Sequence, residues 1–407
     1  MKPLIARQPI FDGNLKVYGY ELLYRNSEKN YVNNINGDKA TSSVVINSFI
    51  NIGISKITDG KIAFVNFTER IINEEVATLF SNKLIAVEIL EDIKITTSIV
   101  EKIKRLKNEG YMIVIDDLQM KRIYDYDEIM NFVDIIKVDF RLNTWREIAY
   151  IPKLFHDTNI IFLAEKIESL EEYTKAKGIG YSLFQGYFLK RPEMIYNNNK
   201  KSYKNSYIRL LKECNREVPE FNILAEIVRQ DTILSYQLLK VNKNNNNKDT
   251  IVKSDIIKET LVKMGLRKLR IWVYLLIRNN EVDDKPDELL KISLIRARFS
   301  ETVACKLSGE IKASDAFMMG MLSLIDVLLD REIKDILGEI EIDKNVTDAL
   351  LGKENNLYYL LEMIINYEKG NWDQVIKYSN ENNINQDDLM YLYIEALSWT
   401  NNIVNEI

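Results

Sequence analysis

The sequence has very few of the residues that disulfide frameworks and zinc sites need. Its 407 residues include two cysteines, Cys214 and Cys305, and one histidine, His156. The cysteines lie far apart, form neither a disulfide pattern nor a zinc-ligand pattern, and suit a reducing cytosol. The N-terminus lacks the apolar core of a signal peptide, and no apolar run is long enough to span a bilayer. We therefore expect a cytoplasmic protein that does not cross a membrane.

The chain also lacks a surplus of basic charge. It carries 55 Lys and Arg against 60 Asp and Glu, interspersed, for a formal net charge of -5. A protein that binds nucleic acid through its phosphate backbone usually shows a basic surplus or stripe, so general nucleic-acid binding is disfavoured. With 46% apolar residues, the composition is that of a globular protein. The length predicts two domains.

The first half alternates short apolar runs with segments of helical spacing. The runs have strand length and are rich in Val, Ile, Phe or Tyr. They occupy 17–25, 61–67, 84–90, 111–118, 134–140, 159–167 and 182–189, and the helical segments occupy 41–54, 69–80, 97–106, 145–155 and 170–177. Alternation of this kind predicts a parallel sheet covered by helices. The number and spacing of the repeats predict a closed (β/α)₈ TIM-like barrel over residues 1–195, of the α/β class.

The second half has a different pattern. A polar, Asn- and Lys-rich segment is interpreted as a linker at 196–206, and 207–407 as an all-α domain in which apolar residues recur at helical spacing. The low-complexity segment 241–249 is interpreted as an exposed loop. From about residue 372 we expect one or two short helices.

Polar residues occur near the ends of the predicted strands. In a parallel barrel the carboxyl ends of the strands carry the active site. The residues selected by this rule are Glu21, Asn66, Glu88, Asp116, Asp117, Lys137, Asp139, Glu165 and Gln185. Lys137 and Asp139 are two apart and share one face of a strand. Asp116 and Asp117 are adjacent, so both reach one site only if the strand breaks there.

Several carboxylates aimed into one pocket would repel one another unless cations compensate them. Oxygen ligands suit the hard divalent ions Mg²⁺, Mn²⁺ and Ca²⁺. Two such ions about 4 Å apart suit the in-line attack of water on a phosphodiester, with a lysine to orient the water. The alternative for each single residue is a helix cap or a solvated loop position. This alternative is a much weaker explanation when it has to account for all of these residues together.

The motifs that contain these residues resemble the EAL family of cyclic di-GMP phosphodiesterases. The match runs in order over residues 1–195. Its parts are RQPIF (7–11), GYELLYR (19–25), VNF (65–67), VEILE (87–91), IDD (115–117), KVD (137–139), AEKIES (164–169) and QGYFLKRP (185–192). Leu22 replaces the Ala that is usual in the second of them.

The resemblance implies a role for each residue. One Mg²⁺ or Mn²⁺ would be held by Glu21, Asn66, Glu88 and Asp116, and a second by Asp116, Asp117 and Glu165. Lys137, Glu165 and Gln185 would be catalytic, and Arg25, Gln8 and Asp139 would contact cyclic di-GMP. Ca²⁺ would be an inhibitory occupant of the metal site.

The segment after the Asp pair departs from the family. There the family carries a glycine-rich loop that links metal occupancy to dimerisation, whereas 118–128 reads LQMKRIYDYDE and has no glycine. Glu91, which would support the loop, is retained. Three functions stay open: a phosphodiesterase, a cyclic di-GMP receptor without useful turnover, and a scaffold that uses no nucleotide. A homodimer is compatible with the family, although the altered loop weakens that expectation.

The second half resembles the HDOD module, a helical relative of HD metal phosphohydrolases. The matching segments are 227–242, 262–276 and 316–326. Ser323 and Leu324 stand where HD enzymes place a His-Asp pair, and His156 lies in the other half of the chain. A histidine-dependent metal site is therefore excluded from the second half. The resemblance implies a non-catalytic module that binds an unidentified protein partner.

Overall fold

The protein is described by a computed structural model. It describes residues 4–25, 53–186, 188, 201–216, 218–230, 234, 238, 256–279, 286–307, 309, 311–329, 331–339 and 342–406. The described residues within Met1–Arg191 and Glu362–Ser398 form one compact unit, and those within Pro192–Leu361 and Trp399–Ile407 form another. In the first unit the Tyr367 hydroxyl donates to the carbonyl of Ile5 at 3.0 Å. The predicted domain limits, 1–195 and 207–407, stay a prediction.

Eight strands close into a barrel in the order of the chain. They are Leu4–Asp12 (β1), Val17–Arg25 (β2), Ile62–Phe67 (β3), Ile85–Ile89 (β4), Met112–Ile115 (β5), Ile135–Asp139 (β6), Ile161–Ile167 (β7) and Leu183–Gly186 (β8). The predicted closed barrel is confirmed, and β2 to β8 run parallel.

The first strand corrects the expectation of a parallel sheet, because β1 is antiparallel to both β2 and β8. A tight turn forms the β1–β2 hairpin. The Asp12 carboxylate accepts from the backbone N–H groups of Asn14 and Lys16, and Leu15 adopts a φ of 59°. This turn sends the chain straight back, so β1 and β2 are antiparallel without a crossover helix.

One buried apolar layer fills the barrel and positions the residues above it. Seven strands contribute to it: Ile10, Phe64, Ala86, Val114, Ile135, Leu163 and Leu183. Side chains two apart on a strand share a face. The residues two positions further along β3 to β8 are Asn66, Glu88, Asp116, Lys137, Glu165 and Gln185. The polar residues therefore lie directly above an apolar floor, at the carboxyl ends of the strands.

The helices of the first half follow the predicted segments with one interruption. They are Ile54–Ile57 (α1), Glu69–Asn73 (α2), Thr97–Asn108 (α3), Trp145–Leu154 (α4) and Leu170–Gly178 (α5), with 3₁₀ turns at Val76–Leu79, Met120–Tyr126 and Met130–Phe132. The segment predicted as one helix over 69–80 is broken where Glu75 adopts a φ of 54°. Most of the segment predicted over 41–54 lies outside the described residues.

Beyond residue 200 the described residues form helices and no strand, which confirms the predicted helical region. The helices are Lys201–Asn215 (α6), Phe221–Arg229 (α7), Ile256–Asn279 (α8), Asp287–Ala304 (α9), Ala313–Leu322 (α10), Ile325–Leu329 (α11), Ile333–Glu339 (α12), Lys344–Leu350 (α13), Asn356–Glu368 (α14), Trp372–Glu381 (α15) and Gln386–Glu406 (α16). Gly265 interrupts α8 with a φ of 74°. None of the described helices has the length and apolarity that crossing a bilayer requires.

One expectation for this half is corrected. The predicted linker at 196–206 stays a prediction, and its part from Lys201 onward is helical, where α6 begins. The last helix, α16, has 21 residues and is not short. The predicted loop at 241–249 lies outside the described residues.

The two cysteines should differ in reactivity. Cys214 on α6 is fully buried, and burial raises the pKa of its thiol to about 12, whereas Cys305 is exposed. Because the thiolate is the reactive form, at pH 8 Ellman's reagent should titrate one thiol in the native protein and the second only after unfolding in urea. Native Cys305→Ser should be unreactive. Two thiols that react together in the native wild type would contradict this assignment.

Candidate active site

Lys137 stands at the centre of the carboxyl end of the barrel. It projects from β6, and its side chain is 1% exposed. Its Nζ contacts four carboxylates: Asp116 at 2.8 Å, Glu165 at 2.8 Å, Glu88 at 2.9 Å and Glu21 at 3.5 Å. Glu21, Glu88 and Glu165 lie on β2, β4 and β7, and Asp116 directly follows β5. Residues distant in sequence thus meet at one ammonium group.

Two amide side chains complete this group through Glu21. Gln185 on β8 donates from Nε2 to Glu21 Oε2 at 2.6 Å, and Asn66 on β3 donates from Nδ2 to Glu21 Oε1 at 3.4 Å. The Tyr24 hydroxyl donates to the carbonyl of Asn66 at 2.8 Å. Gln8 on β1 is half-buried and pairs with Glu21 in the β1–β2 register. These contacts orient both oxygens of Glu21 within the barrel mouth.

The charges of this group do not balance. Four carboxylates meet a single ammonium group, so three negative charges are left when all are ionised. Burial raises the pKa of Glu88 and of Glu165 well above the usual range, against the opposing effect of Lys137. Burial alone would lower the pKa of Lys137, but the charges of Asp116, Glu165, Glu21 and Glu88 raise it well above its usual value. Excess buried negative charge favours the binding of cations.

Several buried oxygens in the same group accept no hydrogen bond from any described residue. They are Glu88 Oε2, Glu165 Oε2, Asn66 Oδ1 and Gln185 Oε1. Buried acceptors without partners are costly, and oxygen atoms of this type are the ligands that hard divalent ions prefer. The donor set therefore fits Mg²⁺ or Mn²⁺ and does not fit a zinc site built from His or Cys.

A second group of carboxylates lies beside the first. Oxygens of Glu91, Asp116 and Asp117 lie within 4.8 Å of one another. β5 ends at Ile115 and Asp117 adopts a φ of 43°, which is the break that both aspartates need to reach one site. The resemblance assigns Glu165 to this group, and that assignment stays a prediction; in the structure Glu165 contacts Lys137. Glu91, two residues after the strand β4 that carries Glu88, lies in the group as well.

Lys166 is a functional candidate that sequence reasoning missed. Its Nζ lies 3.4 Å from Asp117 Oδ1 and donates to Asp139 Oδ2. Asp139, a predicted ligand contact, is 1% exposed, and its Oδ1 accepts from the N–H groups of Arg141 at 2.5 Å and Leu142 at 3.1 Å. The available signal was a lysine directly after Glu165 at a strand end.

The glycine-free segment after the Asp pair is held by Asn143. The side chain of Asn143 accepts from the N–H of Met120 at 2.9 Å and donates to the carbonyls of Leu118 at 2.9 Å and Asp139 at 3.0 Å. Within the segment, Ile123 and Tyr126 are buried. A packed 3₁₀ turn anchored to the end of β6 therefore follows the Asp pair.

Asn143→Ala should loosen this segment. It removes three hydrogen bonds of a buried amide, so we expect the free energy of unfolding to fall by about 1–3 kcal/mol. Urea unfolding followed by circular dichroism measures the loss. Asn82→Ala is the matched control, because Asn82 is half-buried and its one hydrogen bond, to the carbonyl of Glu109, is exposed. An equal effect of the two substitutions would show that Asn143 does not anchor the segment.

Other residues singled out in the sequence lie elsewhere. The side chain of Arg25 lies outside the described part of the structure. His156 is exposed and pairs with Asp157 at 3.0 Å. In the helical region Ser323 accepts from Arg296 Nη1 at 3.1 Å and donates to the carbonyl of Gly320 at 2.8 Å. The metal-competent group of Glu91, Asp116 and Asp117 has no counterpart among the described residues of that region.

Two relatives are similar to the chain along its length. The uncharacterised protein YuxH of Bacillus subtilis is 38% identical over 411 residues, covering 100% of both chains. The cyclic di-GMP phosphodiesterase CdgJ of Vibrio cholerae is 29% identical over 405 residues, covering 98% of this chain and 92% of CdgJ. No family model matches the chain.

Among solved structures, an EAL domain protein from Listeria monocytogenes EGD-e matches with 18% identity and a TM-score of 0.37, over 47% of this chain and 88% of that one. A standalone EAL protein from Vibrio cholerae O395 matches with 25% identity and a TM-score of 0.34, over 46% of this chain and 90% of that one. Both scores are below 0.5 and establish no functional relationship.

Proposed function

We propose that the barrel binds cyclic di-GMP and hydrolyses one of its phosphodiester bonds. The chain belongs to the same protein family as YuxH of Bacillus subtilis. The observation that carries this proposal is the cluster of four buried carboxylates around Lys137, some of whose oxygens accept no hydrogen bond from the described residues, at the mouth of a closed barrel. The similarity to CdgJ along nearly the whole chain supports an EAL-type phosphodiesterase.

The proposed metal ligands fall into two overlapping sets. Glu21, Asn66, Glu88 and Asp116 would hold one Mg²⁺ or Mn²⁺. Asp116, Asp117 and Glu165, together with Glu91, would hold the other. When bound, the ions would polarise the phosphodiester and lower the pKa of the attacking water. Ca²⁺ would occupy the same oxygens, with slower turnover or none.

The side chains of this chain would position the reactants. Lys137 presents its ammonium group at the centre of the cluster and would donate a hydrogen bond to the attacking water. Gln185 has an Oε1 without a partner among the described residues, so it could accept from the same water. Arg25 and Gln8 are the proposed contacts of the nucleotide. A contact with Asp139 would have to share the carboxylate that Lys166 already engages.

The second candidate function is a cyclic di-GMP receptor that turns its ligand over slowly or not at all. The segment at 118–128 favours it, because a packed turn anchored by Asn143 replaces the glycine-rich loop expected for the family. Such a turn has less freedom than glycines would give. The barrel would then report ligand binding and not consume the ligand.

The helical region would act as a non-catalytic HDOD module. The sequence of this region contains no histidine. Ser323 stands where an HD enzyme would place one residue of its His-Asp pair, and it hydrogen-bonds to the buried Arg296. Both features argue against metal phosphohydrolase chemistry there. We propose that this region binds a protein partner. A second copy of the chain is one candidate for that partner.

The experiment that tests the proposal is incubation of the full chain with cyclic di-GMP and Mn²⁺ or Mg²⁺, with products resolved by chromatography. Linear dinucleotide would support the phosphodiesterase. Intact ligand that nevertheless binds in equilibrium dialysis would favour the receptor. Intact ligand without binding, with the metal supplied, would overturn both and leave a scaffold that uses no nucleotide.

A further inference from the structure

The backbone around Lys166 is built to hold its side chain in one place. The backbone of Lys166 has a φ of 57°. Residues other than glycine adopt this left-handed conformation only at an energetic cost. The carbonyl of Lys166 accepts two hydrogen bonds from the Arg141 guanidinium, at 3.2 and 3.1 Å. Arg141 is fixed in turn by Glu172, at 2.5 Å. A strained residue held by a side-chain clamp indicates that its position is determined by its surroundings.

A glycine on the neighbouring strand fixes the same irregularity. The register between β7 and β8 shifts between Ala164 and Ile167. There Gly186, with a φ of 150°, approaches the chain so closely that a Cβ would lie 2.1 Å from the carbonyl oxygen of Ile167. Glu165 and Lys166 sit within this irregular stretch. The glycine therefore permits the close strand approach beside Glu165, while Arg141 holds the adjacent lysine.

The side chain of Lys166 ends among carboxylates of the proposed metal site. Nζ lies 3.4 Å from Asp117 and hydrogen-bonds to the buried Asp139. An ammonium group thus lies at one edge of the set formed by Glu91, Asp116 and Asp117.

We propose that Lys166 is a tethered cation that competes with a divalent ion for the outer position at Asp117. This inference depends on the proposed metal site. Among the described residues, Lys166 supplies the positive charge that contacts both Asp117 and Asp139, so a divalent ion binds there against the repulsion of Lys166 or by displacing it. The inner group also holds an ammonium group, Lys137, but it keeps three negative charges beyond that group. Glu91, Asp117 and Asp139 keep two negative charges beyond Lys166. The two positions therefore differ in affinity, and the inner one fills first.

The test is Mn²⁺ binding to the full chain in the absence of nucleotide, followed by the electron paramagnetic resonance signal of the free ion. Wild type should show one tight site and one weak site. Lys166→Met should tighten the weak site by roughly tenfold, since a partly exposed charge is removed from a distance of about 3–4 Å. Lys166→Gly should do the same, because glycine accepts the positive φ without strain. Lys166→Arg keeps the charge and should leave the site weak.

Lys175→Met is the matched control, because Lys175 is an exposed lysine of α5 that pairs with Glu171. It should not change the Mn²⁺ isotherm. Unchanged weak binding in both Lys166→Met and Lys166→Gly would overturn the role of Lys166 while leaving the proposed phosphodiesterase intact. Absence of Mn²⁺ binding in wild type and in both variants would overturn this role together with the metal-dependent function.

Discussion

Glu21→Gln should abolish most of the turnover of cyclic di-GMP while leaving the barrel folded. The substitution keeps the shape of the side chain and removes one of the four negative charges around Lys137. Outer-shell substitutions at metal sites cost about 10–100-fold. Substitution of a direct metal ligand should lower the rate of turnover a hundredfold or more. The rate of linear dinucleotide formation at saturating Mn²⁺ measures the effect.

Two controls make that result specific to the cluster. Glu109→Gln removes an exposed carboxylate that pairs with Arg105, and it should leave the rate unchanged. Circular dichroism and the urea midpoint of Glu21→Gln should stay close to those of wild type, since the new amide oxygen can still accept from Gln185 and the amide of Asn66 can turn its Oδ1 toward the new NH2 group. Undiminished turnover in Glu21→Gln would remove Glu21 from the active site.

Lys137→Met should destabilise the metal-free protein strongly. Lys137 is fully buried and contacts Glu21, Glu88, Asp116 and Glu165. Removing one side of a buried ion pair leaves uncompensated buried charge and costs about 3–5 kcal/mol. Urea unfolding in the presence of EDTA measures the loss. Adding Mn²⁺ should recover part of it, because a ligand that binds only the folded state stabilises that state.

Lys102→Met provides the comparison for a surface lysine. Lys102 is partly exposed and pairs with Glu75 at 2.6 Å, and exposed pairs of this kind contribute about 0–1 kcal/mol. The difference between the two substitutions isolates the effect of burial. Equal urea midpoints for Lys137→Met and wild type in EDTA would mean that the four carboxylates are not held together by this ammonium group.

The sequence predicted the barrel and most of the site because both depend on a local pattern. Phe64 and Asn66, or Leu163 and Glu165, are two apart on one strand, so an apolar layer and a polar layer follow from alternation alone. Parallel strands then bring their carboxyl ends together. The position of each strand-end residue could therefore be inferred without knowledge of the packing.

Other features depend on contacts between distant segments, which a single sequence does not display. The direction of β1 depends on the turn at Asp12 to Lys16. Lys166 reaches Asp139 through an irregular stretch of β7 fixed by Arg141 and Gly186, which lie 25 and 20 residues away in sequence. The sequence shows the charge of Lys166, but it does not show the direction in which the side chain of Lys166 points.

The assignment of Glu91 shows the same limit. It follows β4 at a strand end, yet its proximity to Asp116 and Asp117 requires the break after Ile115 and the left-handed conformation of Asp117. The four contacts of Lys137 were also unexpected. The sequence placed Lys137 beside the carboxylates, but only the closed barrel shows that they surround it.

The most direct measurement is a reaction of the full chain with cyclic di-GMP and Mn²⁺ in water enriched in ¹⁸O, analysed by mass spectrometry. Attack of water on phosphorus predicts linear dinucleotide with a single heavy oxygen on its terminal phosphate. Cyclic di-GMP recovered intact from a sample whose Mn²⁺ binding has been verified would contradict the account, because the cluster around Lys137 would then hold metal without performing hydrolysis.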